Sequence, residues 1–170
     1  MMNRRSLLGG AAALATSSLA GCARPSSKFR SYNGPPVTGI VVHKAPRRMH
    51  LISGATLLMS FDIELGGNPH GPKRMEGDGR TPEGAYWIDR RNPNSSYHLS
   101  LGISYPNEQD LAIAEAMGVP PGGNIFIHGT PKEKQRNPDW TAGCIAVTNP
   151  EIEEIYAMVQ DGTPIFIHPA

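Results

Sequence analysis

Two side chains in this sequence are of the types and in the setting that nucleophilic chemistry on a carbonyl requires. A cysteine attacks as its thiolate, so it needs a neighbour that accepts the proton and N–H donors for the oxyanion that forms. Cys144 stands in the run Trp140-Thr141-Ala142-Gly143-Cys144-Ile145, where Gly143 lets backbone approach closely and present its N–H groups. His128 lies earlier, at the end of the run Gly123-Asn124-Ile125-Phe126-Ile127, and Gly129 follows it. Spacing alone leaves catalysis and an inert buried thiol both open, because buried cysteines are common and the chain has six histidines.

The remaining polar candidates divide the same way. Arg80 and Lys73 flank a loop and suit a carboxylate, which arginine grips through paired donors, or they are solvated loop charges. Asp139 and Trp140, just ahead of the thiol, either wall a cleft or anchor packing. His98 reads as a structural or solvated strand histidine. His43, His50, His70 and His168 are scattered without metal-ligand spacing. Glu151, Glu153 and Glu154 fall in the first turn of a helix, where negative charge meets the dipole favourably.

The elements that must hold these residues are short and β-rich. Residues 40–43, 49–52 and 56–63 read as a meander, with Ser53-Gly54-Ala55 as a turn. A polar, Gly-rich stretch over 66–79 leads through Thr81-Pro82-Glu83-Gly84 into a strand over 85–88, and 97–101 reads as another. A helix is predicted over 107–117, ended by Gly118 and Pro120. In the strand over 123–128, period-two alternation puts Phe126 and His128 on one face. Asn149 is placed to cap a second helix, with Pro150 at its first position and Ile152, Ile155, Tyr156 and Val159 at helical spacing. Asp161-Gly162 ends it, and 163–168 closes the chain as a strand. The pattern predicts a mainly β sandwich or partly open barrel with one or two short helices.

Composition narrows the class. The 19 glycines and 16 prolines among 170 residues favour short strands and many turns. A formal net charge of +1 gives no clustered cations for nucleic acid. The N-terminus carries Arg4 and Arg5, an apolar run over 7–15 and the ending Leu19-Ala20-Gly21-Cys22. That is the layout of an export signal, too short for a membrane span. Its ending resembles a bacterial lipobox, and the paired arginines resemble a twin-arginine signal. Residues 1–21 are therefore expected to be a cleaved signal, 22–37 a lipidated N-terminus at Cys22 followed by a flexible tether, and 38–170 one domain. An exported, periplasmic protein held on a membrane by lipid is expected, with the outer membrane favoured in a two-membrane cell because Ala23 gives no strong retention signal. Neither cysteine is read as half of a disulfide, and a monomer is expected.

His128-Gly129, then Gly143-Cys144 with Asn149 downstream, resembles the signature of the YkuD-type L,D-transpeptidases, which runs His-Gly, Ser/Thr-His-Gly-Cys, then Asn. The segment 77–84 is similar to the family's Thr-Pro-x-Gly loop, and the likeness extends from about residue 40 to 168. The resemblance implies that Cys144 attacks a peptide carbonyl and that His128 takes the thiol proton. The backbone carbonyl of Gly129, or of Thr130, would orient His128. Backbone N–H groups of Gly143 and Cys144, joined by Ala142, would face the oxyanion. Arg80, Thr81, Trp140 and Asn149 become substrate-binding candidates; no metal and no cofactor are implied.

Two positions depart from the pattern. Ala142 replaces the usual His before Gly-Cys, and Ala146 replaces an Arg often found two residues after the Cys. A sub-branch lacking that histidine looks closer, and at least one of its members hydrolyses a wall-to-lipoprotein link. The expected function is a peptidoglycan L,D-transpeptidase acting on stem peptides through a cysteine acyl-enzyme. A hydrolase of the same fold and a non-catalytic wall-binding lipoprotein are the alternatives.

Overall fold

Period-two alternation of Ile, Val, Leu and Met builds one curled sheet. Among residues 27–135 and 137–170, which the computed structural model describes, eight strands form it. They are β1 (Gly39–His43), β2 (Arg48–Ser53), β3 (Thr56–Asp62), β4 (Gly84–Asn92), β5 (Ser100–Ile103), β6 (Phe126–His128), β7 (Ile145–Ala146) and β8 (Pro164–His168). Their order is β3-β2-β1-β8-β4-β5-β6-β7. β1 runs parallel to β8, and β6 parallel to β7, while the other pairs are antiparallel. Beyond β3, Glu64 bridges to Ala146 of β7, so the two ends of the strand order meet. The mainly β, partly open barrel predicted from the sequence is thus present, formed from a single sheet.

One face of each strand fills the interior. Ile40 and Val42, Met49 and Leu51, Ile165 and Ile167, Ile88, Leu101, Ile127 and Ile145 are buried and belong to one cluster. Each such side chain contributes about 1.5–3 kcal/mol by leaving water. The helix α2 (Asn149–Met158) adds Ile152 and Ile155 to that cluster. The other helix, α1 (Glu108–Met117), is held by its ends: Asn107 and Asp110 form a reciprocal capping box, and Gly118 closes it in the left-handed conformation.

Local departures from the predicted elements have identifiable causes. α2 is capped by Thr148, not Asn149: the Glu151 carboxylate accepts from the Thr148 N–H (2.8 Å) and Oγ1–H (2.7 Å). Asn149 is thereby turned into the structure. The strand expected from Tyr97 begins only at Ser100, because His98 takes a left-handed turn at φ 74°. Its imidazole meets Glu153 of α2 at 2.8 Å, a structural tie.

The Gly-rich stretch over 66–83 contributes no named strand and is fastened by a buried cation. Lys44, just after β1, is 0% exposed and its Nζ donates to Gly71 O (2.8 Å), Thr81 O (3.0 Å) and Glu83 Oε1 (2.8 Å). Burial pushes the Lys44 pKa down and Glu83 pulls the other way. Three donors with three acceptors is the full complement of an ammonium group.

The expected signal over 1–21 and the lipid site Cys22 lie outside the described residues. Within the stretch expected to be a tether, residues 27–37 lie against the domain. Lys28 Nζ donates to Pro93 O (2.6 Å) and His98 O (3.1 Å), Arg30 pairs with Glu153 and Glu154, and Tyr32 and Val37 pack on the core. No helix among the described residues is long and apolar enough to cross a membrane.

Candidate active site

The register of β6 and β7 assembles the site. Ile127 faces Ile145 and His128 faces Ala146; Ile127 and Ile145 point to the core. Alternation then turns Phe126 and His128 the other way. They line, with Cys144, a cavity of about 270 Å³. Tyr97, Asn124, Asn92, Ser95, Ser96 and Ser100 complete the lining, so its polar groups are hydroxyls and amides rather than ions.

His128 is fixed in one orientation. Its Nδ1 lies 2.8 Å from the Gly129 carbonyl oxygen, an acceptor only, so Nδ1 carries the proton and Nε2 keeps a lone pair. Tyr97 stacks on the imidazole with centroids 4.5 Å apart, and Trp140 meets it edge-on at 5.6 Å. Burial pushes the imidazole pKa down, opposed by the bond to Gly129, so the neutral base is favoured.

Gly129 is required by crowding. A Cβ there would collide with Asn149 Oδ1 and come within 2.9 Å of the Tyr97 carbonyl, which itself accepts the Gly129 N–H. Asn149 Oδ1 is buried without a hydrogen-bond partner. It lies beside Gly129, and Asn149 is not among the residues that line the cavity.

Cys144 is half-buried and free, and its thiol is directed at the Asn124 carbonyl, 3.6 Å away. Burial pushes its pKa up, against the Phe126 backbone and the charge of Lys73. Burial thus pushes both groups toward their neutral forms, the thiol up and the imidazole down.

The loop carrying the thiol is held as an added strand along 64–67. Thr141 N–H bonds Leu65 O, and Gly67 N–H bonds Thr141 O. Asp139 is gripped by Arg47 through Nε (2.9 Å) and Nη2 (2.6 Å) and accepts the Leu65 N–H (3.0 Å), which places Trp140 over His128. Gly143 sits at φ 130°, and a Cβ there would be 2.5 Å from the Arg80 carbonyl, so no other residue fits. The Gly143 N–H donates to Thr141 Oγ1 (3.1 Å), whose hydroxyl donates to Cys144 O (2.8 Å). The Cys144 N–H, one residue ahead of β7, is outside the β6–β7 ladder.

The structure brings Cys144, His128, Gly129 and Trp140 together, but not every residue singled out in the sequence. Thr81 is 0% exposed; its Oγ1 accepts the Gly66 N–H and its carbonyl accepts Lys44, so no surface is left for a substrate. Arg80 directs Nη1 to Pro72 O, away from the cavity. Lys73 is buried against Asp78 at 2.9 Å. Tyr97, Phe126 and Asn124 were not singled out. Alternation with His128 pointed to Phe126, whereas nothing local marks the other two.

Residues 38–167 match the YkuD family, described as the L,D-transpeptidase catalytic domain. The Escherichia coli (strain K12) protein YafK is 33% identical over 116 residues, which is 67% of this chain and 42% of YafK. Among solved structures, the helical cell shape determining protein Pgp2 from Campylobacter jejuni superposes with a TM-score of 0.61 at 25% identity, covering 82% of this chain and 50% of Pgp2. Bd1075 from Bdellovibrio bacteriovorus superposes with a TM-score of 0.58 at 22% identity, covering 79% and 49%. The chain thus spans half or less of the length of these relatives.

Proposed function

The chain belongs to the YkuD family of L,D-transpeptidase catalytic domains, and from that membership we propose that it is a cysteine-dependent acyltransferase acting on the stem peptides of bacterial peptidoglycan. The observation that carries this reading is the common cavity of Cys144 and His128, with Nδ1 of the histidine tied to Gly129 and Nε2 left as the base.

In the proposed reaction the Cys144 sulfur attacks the carbonyl of a stem-peptide bond while its proton passes to His128 Nε2. The tetrahedral oxyanion is met by backbone N–H groups, with that of Cys144 outside the strand ladder and that of Gly143 released from Thr141 when it is used. Collapse breaks the C–N bond; His128 returns the proton to the leaving amine and a thioester remains. The side-chain amine of a diaminopimelate residue then attacks, gives a proton to His128 and forms the new amide, and the proton returns to the thiol. Water in place of the amine gives hydrolysis.

Ala142 and Ala146, where the family pattern has ionisable side chains, favour hydrolysis as the second reading. The described cell-shape role of Pgp2 supports action on the wall, and the lipobox-like ending at Cys22 supports an exported, lipid-anchored enzyme. Incubating the full chain with a disaccharide-tetrapeptide and reading products by mass tests the proposal. A cross-linked dimer, lost in Cys144→Ala, is expected. Shortened stems alone mean hydrolysis, and untouched stems together with an unreactive Cys144 remove the catalytic reading in favour of a wall-binding role.

A further inference from the structure

One row of residues crosses the sheet beside the thiol. Arg90 of β4 pairs with Gly102 of β5, and Gly102 pairs with Phe126 of β6. Since Ile127 faces Ile145, the row extends from Phe126 to Cys144. With strands about 4.8 Å apart, the two ends of the row are about 14 Å apart at Cα, a span that an arginine side chain shortens considerably.

Two features lay the Arg90 side chain along that row. The β4–β5 register shifts between Ile88 and Arg90, and a bulge of this kind re-aims the side chains beside it. Gly102 leaves the path open, because a Cβ there would lie 2.5 Å from Arg90 Cγ and 2.9 Å from its Cζ. The guanidinium therefore rests over the Phe126 ring, 4.5 Å from the centroid, and Phe126 itself lines the cavity that holds Cys144.

The donors of Arg90 are half spent. Nη1 pairs with Asp89 (2.7 and 2.8 Å), while Nε and Nη2 make no hydrogen bond among the described residues. Arg91 is engaged on the carbonyls of Tyr156 and Val159, Lys73 on Asp78, and Lys28 on those of Pro93 and His98. The cavity lining has no ion of its own, so a carboxylate entering it would find its charge partner in Arg90.

We propose that Arg90, steered over Gly102 onto Phe126, recognises a carboxylate of the peptide presented to Cys144. The inference rests on the peptide-directed reading of the site. The carboxylate is either the C-terminus of the residue that leaves or the side-chain-borne carboxylate of the residue whose carbonyl is attacked. Both place an anion within a residue of the sulfur.

The test measures calorimetric binding of a tetrapeptide to the full chain carrying Cys144→Ala, with wild-type turnover followed in parallel. The peptide is used free, amidated at its C-terminus, and amidated at the side-chain carboxylate. One amidation is expected to weaken binding about tenfold or more, roughly the 1.4 kcal/mol of a charge-assisted bond, and so to identify which carboxylate is read. Arg90→Gln should bring the free peptide to the level of that amide without weakening the amide further. Arg90→Lys should recover only part, since it lacks the planar fork. Gly102→Ala, which displaces the side chain while keeping Arg90, should behave as Arg90→Gln and serves if that variant does not fold. Equal weakening of all three peptides, no effect of either amidation, or an inert Gly102→Ala overturns the assignment. Discrimination by Arg90 without any wild-type turnover sinks the catalytic reading alone; turnover without discrimination sinks the Arg90 assignment alone.

Discussion

The phenol ring of Tyr97 lies stacked on the imidazole of His128, 4.5 Å between centroids and 24° from parallel. Together with the edge of Trp140, it covers the imidazole while the Gly129 carbonyl holds Nδ1. Desolvation without a counter-charge is why the imidazole pKa is lowered.

The pH dependence follows from the two opposed shifts. Neutral His128 persists below its ordinary pKa of about 6.5, so the acid limb of the Cys144-dependent rate should fall below that value. Iodoacetamide alkylation should track a thiol titrating above about 8.5, and reactivity that stays flat down to pH 6 would mean a preformed thiolate–imidazolium pair and sink the neutral-pair reading. For stability, the unfolded state binds the His128 proton first, so stability is full above about pH 6.5 and is lost as pH falls toward the lower folded pKa. Urea midpoints of wild type and His128→Asn, compared across pH, should show this acid loss in the wild type only.

Removing the stacking ring should act on both stability and the base. Tyr97→Ala should cost about 0.5–1.5 kcal/mol beyond lost burial and let water reach the imidazole, raising the His128 pKa and moving the acid limb up. Tyr97→Phe should keep both. An NMR titration of His128 in the three proteins checks this, and an unmoved titration in Tyr97→Ala rejects it.

Gly129 and Asn149 should show coupled behaviour. Gly129→Ala drives a methyl group into Asn149 Oδ1 and the Tyr97 carbonyl, an overpacking that costs about 1–3 kcal/mol. Adding Asn149→Ser removes one of the two clashes and should restore part of the loss. A double-mutant cycle in urea that comes out additive would show that the two positions do not press on each other.

Arg47 should govern the thiol loop from a distance. Burial pushes the Asp139 carboxyl up, but Arg47 and the Leu65 N–H override it and hold its pKa below the usual carboxylate range. Arg47→Ala should cost about 1.5–3 kcal/mol at neutral pH, the range for hydrogen bonds to charged groups, and shift Trp140 emission as its support loosens. The wild-type advantage exists above the ordinary aspartate pKa and is lost as pH falls through the lowered folded one. Thermal midpoints of the two proteins should therefore converge in acid, and a constant gap would assign the loss to packing.

The sequence by itself determined which residue types bear chemistry and most of the runs that become strands. Alternation is local, so Ile125 and Ile127 read as one face of a strand and Phe126 and His128 as the opposite face without any structure. The glycine at 143 was legible as a close approach, but the Arg80 carbonyl it makes room for was not, nor was the crowding of Gly129 against Asn149 Oδ1. Only the tertiary structure decided that Thr81 and Arg80 turn away from the cavity, that Tyr97 covers the base, that Arg47 grips Asp139 and that Arg90 reaches Phe126. Those relations depend on strand order, register and a bulge among segments far apart in the chain. Periodicity states which way a side chain faces; which neighbour it meets is set only when the sheet closes.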